Sequence, residues 1–338
     1  MRGNSFGEFL VLTGFGESHG AAVGAVVDGC PAGIPLGRED FAAALRRRRP
    51  GSSPLVSGRM ECDEPEILGG IFEGRTLGTP IAVIVRNIDA RSDDYERGIY
   101  RPGHADKVWE EKYGIRDYRG GGRASGRETV ARVIGGVVAE KILPSSVRIV
   151  GFARSIGRIT AVDIPDELTR EIVDRSPTRC PDPSAAARME KDLLECKETG
   201  DSRGGVVELR VDGVAPSLGE PVFRKAKALL ASAMMSVGAV TGVELGDAFD
   251  ETRLDGFTYH SRGGEAAAHT HDAGILGGIT TGGRIVLRCA VKPVSTIGET
   301  AKRGRHDPCI VPRIVPVLEA MTALVLADLT LAARCDRA

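Results

Sequence analysis

The chain has 338 residues, enough to bury a substantial core in one large domain or in two. Its 45 lysines and arginines balance 46 aspartates and glutamates, so cationic clusters are local, which points to a small anionic ligand and away from a nucleic-acid surface. Seven cysteines, an odd number without a Cys-x-x-Cys pair, suggest reduced thiols in a cytoplasmic protein, and no secretory signal or membrane span is expected.

In chain order, residues 9–12 and 22–27 read as strands on either side of the string Gly14-Phe15-Gly16-Glu17-Ser18-His19-Gly20, and residues 38–47 as a short helix. That helix runs into Arg46-Arg47-Arg48-Arg49. Successive helical side chains point about 100° apart, so the four cannot share one ligand, and such a run is most often a solvated helix end. Residues 80–85 form another strand. Residues 128–143 carry Val130, Val133, Ile134, Val137, Val138 and Ile142 at helical spacing and stop at Pro144. The loop before them therefore feeds a helix N-terminus, where free N–H groups and the positive dipole end attract an anion. Residues 147–152, 205–211 and 284–291 read as strands, and residues 185–196 and 223–236 as helices. The apolar stretch 314–333 is interrupted by Glu319 and Asp328, the pattern of a core helix rather than a membrane span. Irregular interleaving, unlike the short alternation of a doubly wound nucleotide fold, makes the class α+β. No low-complexity linker is visible, so residues 1–338 read as one integrated domain.

Three of the six histidines lie in glycine- and arginine-rich loops: His19, His104 in Arg101-Pro102-Gly103-His104-Ala105-Asp106, and His306 in Gly304-Arg305-His306-Asp307-Pro308. Histidine titrates near neutral pH, so in such a loop it can exchange a proton with a ligand held by neighbouring cations. An imidazolium beside Arg101 has its pKa lowered, whereas an incoming phosphate dianion reverses that bias and makes His104 an acid toward a leaving group. A fourth loop, Tyr118-Arg119-Gly120-Gly121-Gly122-Arg123-Ala124-Ser125-Gly126-Arg127-Glu128-Thr129, adds arginine forks that match carboxylate and phosphate oxygens, and glycines that let backbone approach a ligand. The bland readings are a tight turn with an exposed ring for His19, a ring satisfied within its loop for His104, and a helix-capping carboxylate for Asp307. The Gly14–Gly20 string is a poor dinucleotide fingerprint, because its third glycine comes one residue late. Two rival functions remain: His269 and His271 with Asp272 could hold a divalent metal in a hydrolase, though no second ligand cluster accompanies them, or the chain binds anions without catalysis.

Together with Val27-Asp28-Gly29-Cys30-Pro31-Ala32-Gly33, Gly219-Glu220-Pro221-Val222-Phe223 and Gly274-Ile275-Leu276-Gly277-Gly278-Ile279, these strings resemble in order the signature segments of the chorismate synthase family, from Gly3 to near Leu331. The resemblance implies a β-α-β sandwich, with long helices enclosed between antiparallel sheets, and a homotetramer. It implies a lyase converting 5-enolpyruvylshikimate 3-phosphate to chorismate by 1,4-anti elimination of phosphate and the C6 hydrogen, with reduced FMN required and no metal, nucleic-acid or membrane partner. Whether NADPH supplies the flavin's electrons on this chain stays open. By position in the matching strings, His19 acts toward the flavin, His104 toward the departing phosphate and Asp307 beside flavin N5, while Arg48, Arg101 and Arg127 hold substrate. Arg48, Arg123, Ala124, Ser125, Gly238, Ala239, Gly277, Lys292, Pro293, Val294, Ser295, Thr296 and Arg305 fall where the family contacts FMN. Three departures stand out. Pro54 replaces a second ligand arginine, for which Arg59 is the available substitute; Thr270, Asp272 and Ala273 alter an Asn-containing segment; and only residues 297–304 separate Thr296 from Arg305, where many members carry a much longer insertion over the flavin.

Overall fold

The structure, a computed structural model, describes residues 3–49, 55, 61–88, 97–261, 273–303 and 307–336. Strands β1 (Ser5–Phe6), β2 (Val11–Phe15), β3 (Ala22–Asp28), β4 (Pro65–Gly69) and, after a small hairpin of β5 (Ile71–Phe72) and β6 (Arg75–Thr76), β7 (Ile81–Arg86) build a first antiparallel sheet in the order β1-β2-β3-β7-β4. The second contains β8 (Arg148–Ile156), β9 (Ile159–Thr160), β10 (Gly205–Asp212), β11 (Val240–Leu245) and, after the hairpin of β12 (Ile275–Leu276) and β13 (Ile279–Thr280), β14 (Ile285–Val291), in the order β11-β14-β10-β8-β9. Among the helices, α1 (Arg38–Arg48), α2 (Asp106–Tyr113) and α3 (Thr129–Ile142) precede β8. Then come α4 (Arg170–Asp174), α5 (Pro183–Thr199), α6 (Ala226–Met235), α7 (Ala248–Glu251), α8 (Gly256–Ser261), α9 (Glu299–Arg303) and α10 (Val311–Ala332).

Period-two patterning sets the inner face of each sheet. In β3 Val23, Ala25 and Val27 point inward, and their partners across the ladder in β7 are Val85, Val83 and Ile81, all almost wholly buried. Helix α3 lies on β2 and β3, α10 on β8 and β10, and the two helices lie on each other, with α1 and α6 beside them. The layer order is sheet, helices, sheet, as expected of the sandwich. Two adjacent glycines make the helical layer fit. A Cβ on Gly135 would stand 3.0 Å from the Leu12 methyls of β2, and one on Gly136 would stand 2.3 Å from Ala320 Cβ of α10.

Helix α10 is buried along nearly its whole length, and the two carboxylates that interrupt its sequence anchor it to its surroundings. Glu319 accepts from the Gly151 backbone of β8 at 2.9 Å and from Arg47 Nη1 of α1 at 2.6 Å, with Arg170 Nε of α4 at 3.3 Å. Asp328 Oδ1 accepts from the backbone N–H groups of Glu8, Phe9 and Leu10 at 3.0, 2.6 and 2.8 Å. Pro316 has no N–H for the Pro312 carbonyl one turn earlier; Arg179 Nη1 donates to that oxygen instead, at 2.6 Å. The most apolar 18-residue window of the stretch 311–335 has a mean hydropathy of 1.9, yet 94% of that window is enclosed by protein.

Most expected elements occur within a few residues of their expected ends. The first strand starts at Val11 rather than 9 because residues 8–10 turn around Asp328. β1, β4, β11 and α2 were not anticipated. The glycine contact yields a signed test. Gly136→Ala should gain about 1 kcal/mol from helix propensity alone, but the clash with Ala320 makes the expected outcome a net loss of about 1–3 kcal/mol in chemical denaturation. A net gain would show that α3 and α10 are not in this contact.

Candidate active site

The loop before α3 folds as two 3-10 turns, Gly122–Ala124 and Gly126–Glu128, leading into the helix. Gly120, Gly121 and Gly122 have φ of +63°, +87° and +51°, a left-handed run that side chains rarely adopt. Each of the three faces a different functional group. A Cβ on Gly120 would fall 1.9 Å from Cε1 of His19; on Gly121, 2.7 Å from Arg101 Nη2 and 2.9 Å from His104 Cε1; on Gly122, 2.6 Å from Glu17 Oε2. Two histidine loops far apart in sequence thus close on consecutive residues, whose Cα atoms are about 3.8 Å apart.

The surrounding hydrogen bonds fix each loop. Asn87, just past β7, donates to the backbone oxygens of Glu17 (3.0 Å) and Gly20 (2.8 Å) and accepts from Arg127 Nε (2.8 Å), so one amide ties the His19 turn to the glycine loop. Ser18 Oγ lies 3.1 Å from His19 Nδ1. Arg123 donates to the carbonyls of Gly16 (3.3 Å) and Gly14 (3.2 Å), and the Ser125 hydroxyl accepts from the Arg127 N–H; both expected cofactor contacts therefore also hold their own loop. Glu17 is pushed above the usual carboxylate range by burial and by Asp117, with Arg123 opposing.

The His104 turn docks on the segment after β14. The Gly103 carbonyl accepts from Lys292 Nζ at 3.0 Å and Ser295 Oγ at 2.9 Å. Lys292 N in turn donates to Ala239 O, bringing the Gly238–Ala239 turn alongside. The Val294 carbonyl accepts from Ser202, and Pro293 packs over Gly204. His104 Nδ1 lies 2.9 Å from Asp106 Oδ1, and Arg101 Nη2 lies 3.1 and 3.3 Å from Nδ1 and Nε2 of the ring. Burial first, then Arg101, pulls the ring's pKa down, with Asp106 opposing; this is the direction expected for His104 beside Arg101.

The remaining arginines form a second, buried group. Asp63, at φ +51°, bridges them: Oδ2 takes Arg48 Nη2 at 2.5 Å and Oδ1 takes Arg127 Nη1. Burial pulls Arg48 down to about 10, with Asp63 opposing and Arg313 and Arg127 adding to the fall, which still leaves a full charge at neutral pH. Arg313 Nη1 also pairs with Asp307 at 2.5 Å, which links Asp307 to this group. Arg46 and Arg47 point elsewhere, the first outward and the second to Glu319 and Asp174, as helical spacing requires. Gly277 turns the β12–β13 hairpin, whose contacts run to Leu218 and Ala226 rather than to the histidines. Pro54, Arg59, His269, Thr270, His271, Asp272, Arg305 and His306 lie outside the described residues.

The chorismate synthase family model matches residues 10–331. The chain belongs to the chorismate synthase family. It is 47% identical to the chorismate synthase of Chloroflexus aggregans over all of this chain and 98% of the relative, and 47% identical to that of Bdellovibrio bacteriovorus over the whole of both. A crystal structure of a chorismate synthase, 34% identical, superposes with a TM-score of 0.79 over 97% of this chain and 93% of the other. The chain is thus a lyase of the chorismate synthase class acting on a small molecule, and its α+β fold is that family's.

Against that family reading, Asp63, Asn87, Asp106 and Arg313 hold the implied site residues, and none was singled out from sequence. Asp106 alone left a trace, two residues after His104 in the same string. A cleft of about 190 Å³ opens between the glycine loop and α2, lined by Glu17, Asp106, Trp109, Tyr113, Arg116 and Arg123 among others. It falls below the roughly 300–1,000 Å³ usual for a cofactor-sized ligand, so the cleft is too small for a flavin. The glycine run gives the test of this site. Gly121→Ala strains φ and pushes on Arg101 and His104; an ångström of displacement at a reacting group can cost on the order of 10²-fold. Turnover should fall by roughly that factor with the fold retained by circular dichroism, and an unchanged rate would mean that this contact does not position His104.

Proposed function

We propose that the chain eliminates phosphate from 5-enolpyruvylshikimate 3-phosphate to give chorismate, with reduced FMN bound between the glycine loop and the segment 292–296. The observation that carries the reading is the meeting of His19 and the Arg101–His104 pair on consecutive glycines, in a chain of this family. FMN fits the residues present. Gly238, in the turn whose Ala239 carbonyl accepts from Lys292 N, has nothing within 4 Å of where a Cβ would stand, leaving backbone open to a flat ring, and Lys292, Ser295 and Arg123 supply donors for its phosphate and carbonyls; Gly277 lies in the β12–β13 hairpin, which contacts Leu218 and Ala226. Arg48 Nε is a buried donor without a hydrogen-bond partner, as a further anion oxygen would require. When bound, reduced FMN supplies an electron that lets the allylic C–O bond break and is afterwards recovered.

The protein does the rest. Arg101, Arg48 and Arg127 hold the substrate's carboxylates and phosphate; His104 donates a proton toward the leaving phosphate, His19 would serve as a proton donor to the bound flavin, and Asp307 would assist the proton step at N5. Charge placement favours this division: His104 sits among cations that a phosphate dianion would join, and Asp307 is paired to Arg313 beside Arg48. Residues 1–338 act as one domain, since α10 is anchored to β8 and to the turn before β2. Exposed Phe72, Phe223, Phe249 and Phe257 support a homotetramer, and seven unpaired cysteines support a cytoplasmic setting.

An anaerobic assay tests the function. Chorismate should form only with reduced FMN and without stoichiometric flavin oxidation, and His19→Ala or His104→Ala should each lower turnover about 10²–10⁴-fold with much smaller loss of substrate affinity. Turnover with oxidised FMN, or with a chelator-sensitive metal alone, would overturn the assignment in favour of the rival hydrolase.

The short connection after Thr296 gives a second expectation. Alignment to the Chloroflexus protein runs over 359 positions against the 338 residues here, so that relative carries residues this chain lacks. In this chain α9 is pinned to the end of α5 by Gly298 N donating to Gly200 O at 2.7 Å. A smaller cover excludes less water, so FMN should bind more weakly than in relatives with the insertion, and substrate should tighten it. Equal FMN affinity with and without substrate, matching such a relative in an anaerobic titration, would contradict this.

A further inference from the structure

We infer that Asp106 is the positioning residue of the His104 acid: its carboxylate accepts a hydrogen bond from Nδ1–H, turns the ring so that Nε2 is the nitrogen that exchanges protons with a ligand, and opposes the charges of Arg101 and Lys292. The inference rests on the proposed acid role of His104.

The hydrogen-bond geometry allows only one arrangement of the resting ring. An ionised carboxylate can only accept, and a guanidinium can only donate. Nδ1 stands 2.9 Å from Asp106 Oδ1, so it carries the hydrogen. Having donated, it cannot accept from Arg101, whose Nη2 lies close to both ring nitrogens and donates to Asp106 Oδ1 at 3.1 Å; of the two ring nitrogens only Nε2 is left to accept from it. The ring rests neutral, with Nε2 occupied by Arg101. Before His104 can act as an acid, Nε2 must be freed and protonated. A phosphate dianion achieves both, because it gives Arg101 a better acceptor and favours an imidazolium beside it.

Asp106 is not merely a carboxylate at a helix start. It occupies the first turn of α2, but its oxygens face the preceding turn: Oδ2 accepts from Arg101 Nε at 2.8 Å and Arg101 N at 3.3 Å, Oδ1 accepts from the ring and from Arg101 Nη2 at 3.1 Å, and Arg116 Nη1 lies 3.8 Å behind. Its side chain is only 3% exposed. Burial would raise its pKa, but the bonds and charge of Arg101 outweigh this and hold it at about 2, ionised wherever the enzyme works. The charged groups around His104 are Arg101 from its own turn, Asp106 from α2 with Arg116 behind, and Lys292 from the end of β14. Without Asp106, a protonated ring would face, among the described residues that act on it, the cations Arg101 and Lys292 and no anion.

Asp106→Asn keeps the shape and removes the charge. The chain has six histidines, so ring-carbon-labelled protein gives a readable NMR titration, with the His104 signal identified by its loss in His104→Ala. In wild type the neutral ring should show the Nδ1–H tautomer; the Nε2–H tautomer would overturn the inference without any variant. In Asp106→Asn the titration midpoint should fall by about one pH unit or more, as expected on losing an opposite charge in contact. Turnover at neutral pH should drop roughly 10–100-fold, part of what an acid contributes. KM should change much less, and the decline of kcat with rising pH should move down alongside the midpoint. Asp106→Glu, which keeps the charge, should restore most of the midpoint. An unmoved or raised midpoint in Asp106→Asn, or no recovery in Asp106→Glu, overturns the inference. A lowered midpoint with unchanged turnover upholds the hold of Asp106 on the ring and defeats the acid role of His104 instead.

Discussion

The rest of the structure depends on an ionised carboxylate, Glu319, buried in the middle of an otherwise apolar helix. Removing one partner of such a buried pair costs about 3–5 kcal/mol, so α10 can sit between the sheets only where Gly151 N, Arg47 and Arg170 converge on that carboxylate. Three elements from different parts of the chain are thereby set in register with α10. Arg47 carries the constraint further, because fixing its direction on α1 fixes Arg48 about 100° around the helix, where it meets Asp63 and through it Arg127. A core contact thus reaches the site through one turn of helix.

The site itself is built from loops, but they are not loose. Each is tied by backbone-directed bonds: Asn87 to the turn of His19, Arg123 to β2, Lys292 and Ser295 to Gly103. The charges divide into two layers. The histidines and their immediate cations lie at the glycine run, partly open to a ligand. Arg48 and Arg127 share the Asp63 carboxylate, which offsets half of their charge before any substrate arrives, with Glu61 3.9 Å from Arg127 Nη2. A site with all its cations unpaired would have to desolvate like charges against each other; here Asp63 spreads that strain over two pairs.

Much of this could be read from the sequence. The 3.6-residue spacing from Val130 to Ile142 and the stop at Pro144 gave α3 within one residue at either end, and alternating apolar residues gave β3, β7, β10 and β14. Glu319 and Asp328 marked α10 as a core helix because a core can supply them with partners. What was not legible lacked a local pattern. Val240–Leu245 includes a glycine and has only Val240 fully buried, so β11 shows no clean alternation, and α2 is short and mostly polar, with Asp106 its one buried residue. The loop strings named the candidate ligand-binding groups, since chemistry restricts those residue types. They did not name Asp63, Asn87 or Arg313, whose roles come from neighbours brought together only by the fold.

The bond from Asp328 to the N–H groups of residues 8–10 closes the chain almost end to end, joining positions 320 residues apart. During synthesis the strands of the first sheet are complete at Arg86 and α3, which lies on them, at Ile142, but α10, which covers α3 and the second sheet, begins only at Val311. At about 5–20 residues per second, the nascent chain carries that uncovered surface for on the order of ten seconds or more. The central layer of the sandwich is therefore completed late, and a chain truncated before α10 would expose the inner face of the second sheet and the side of α3 that packs on α10. Such an intermediate presents the kind of apolar surface that chaperones bind.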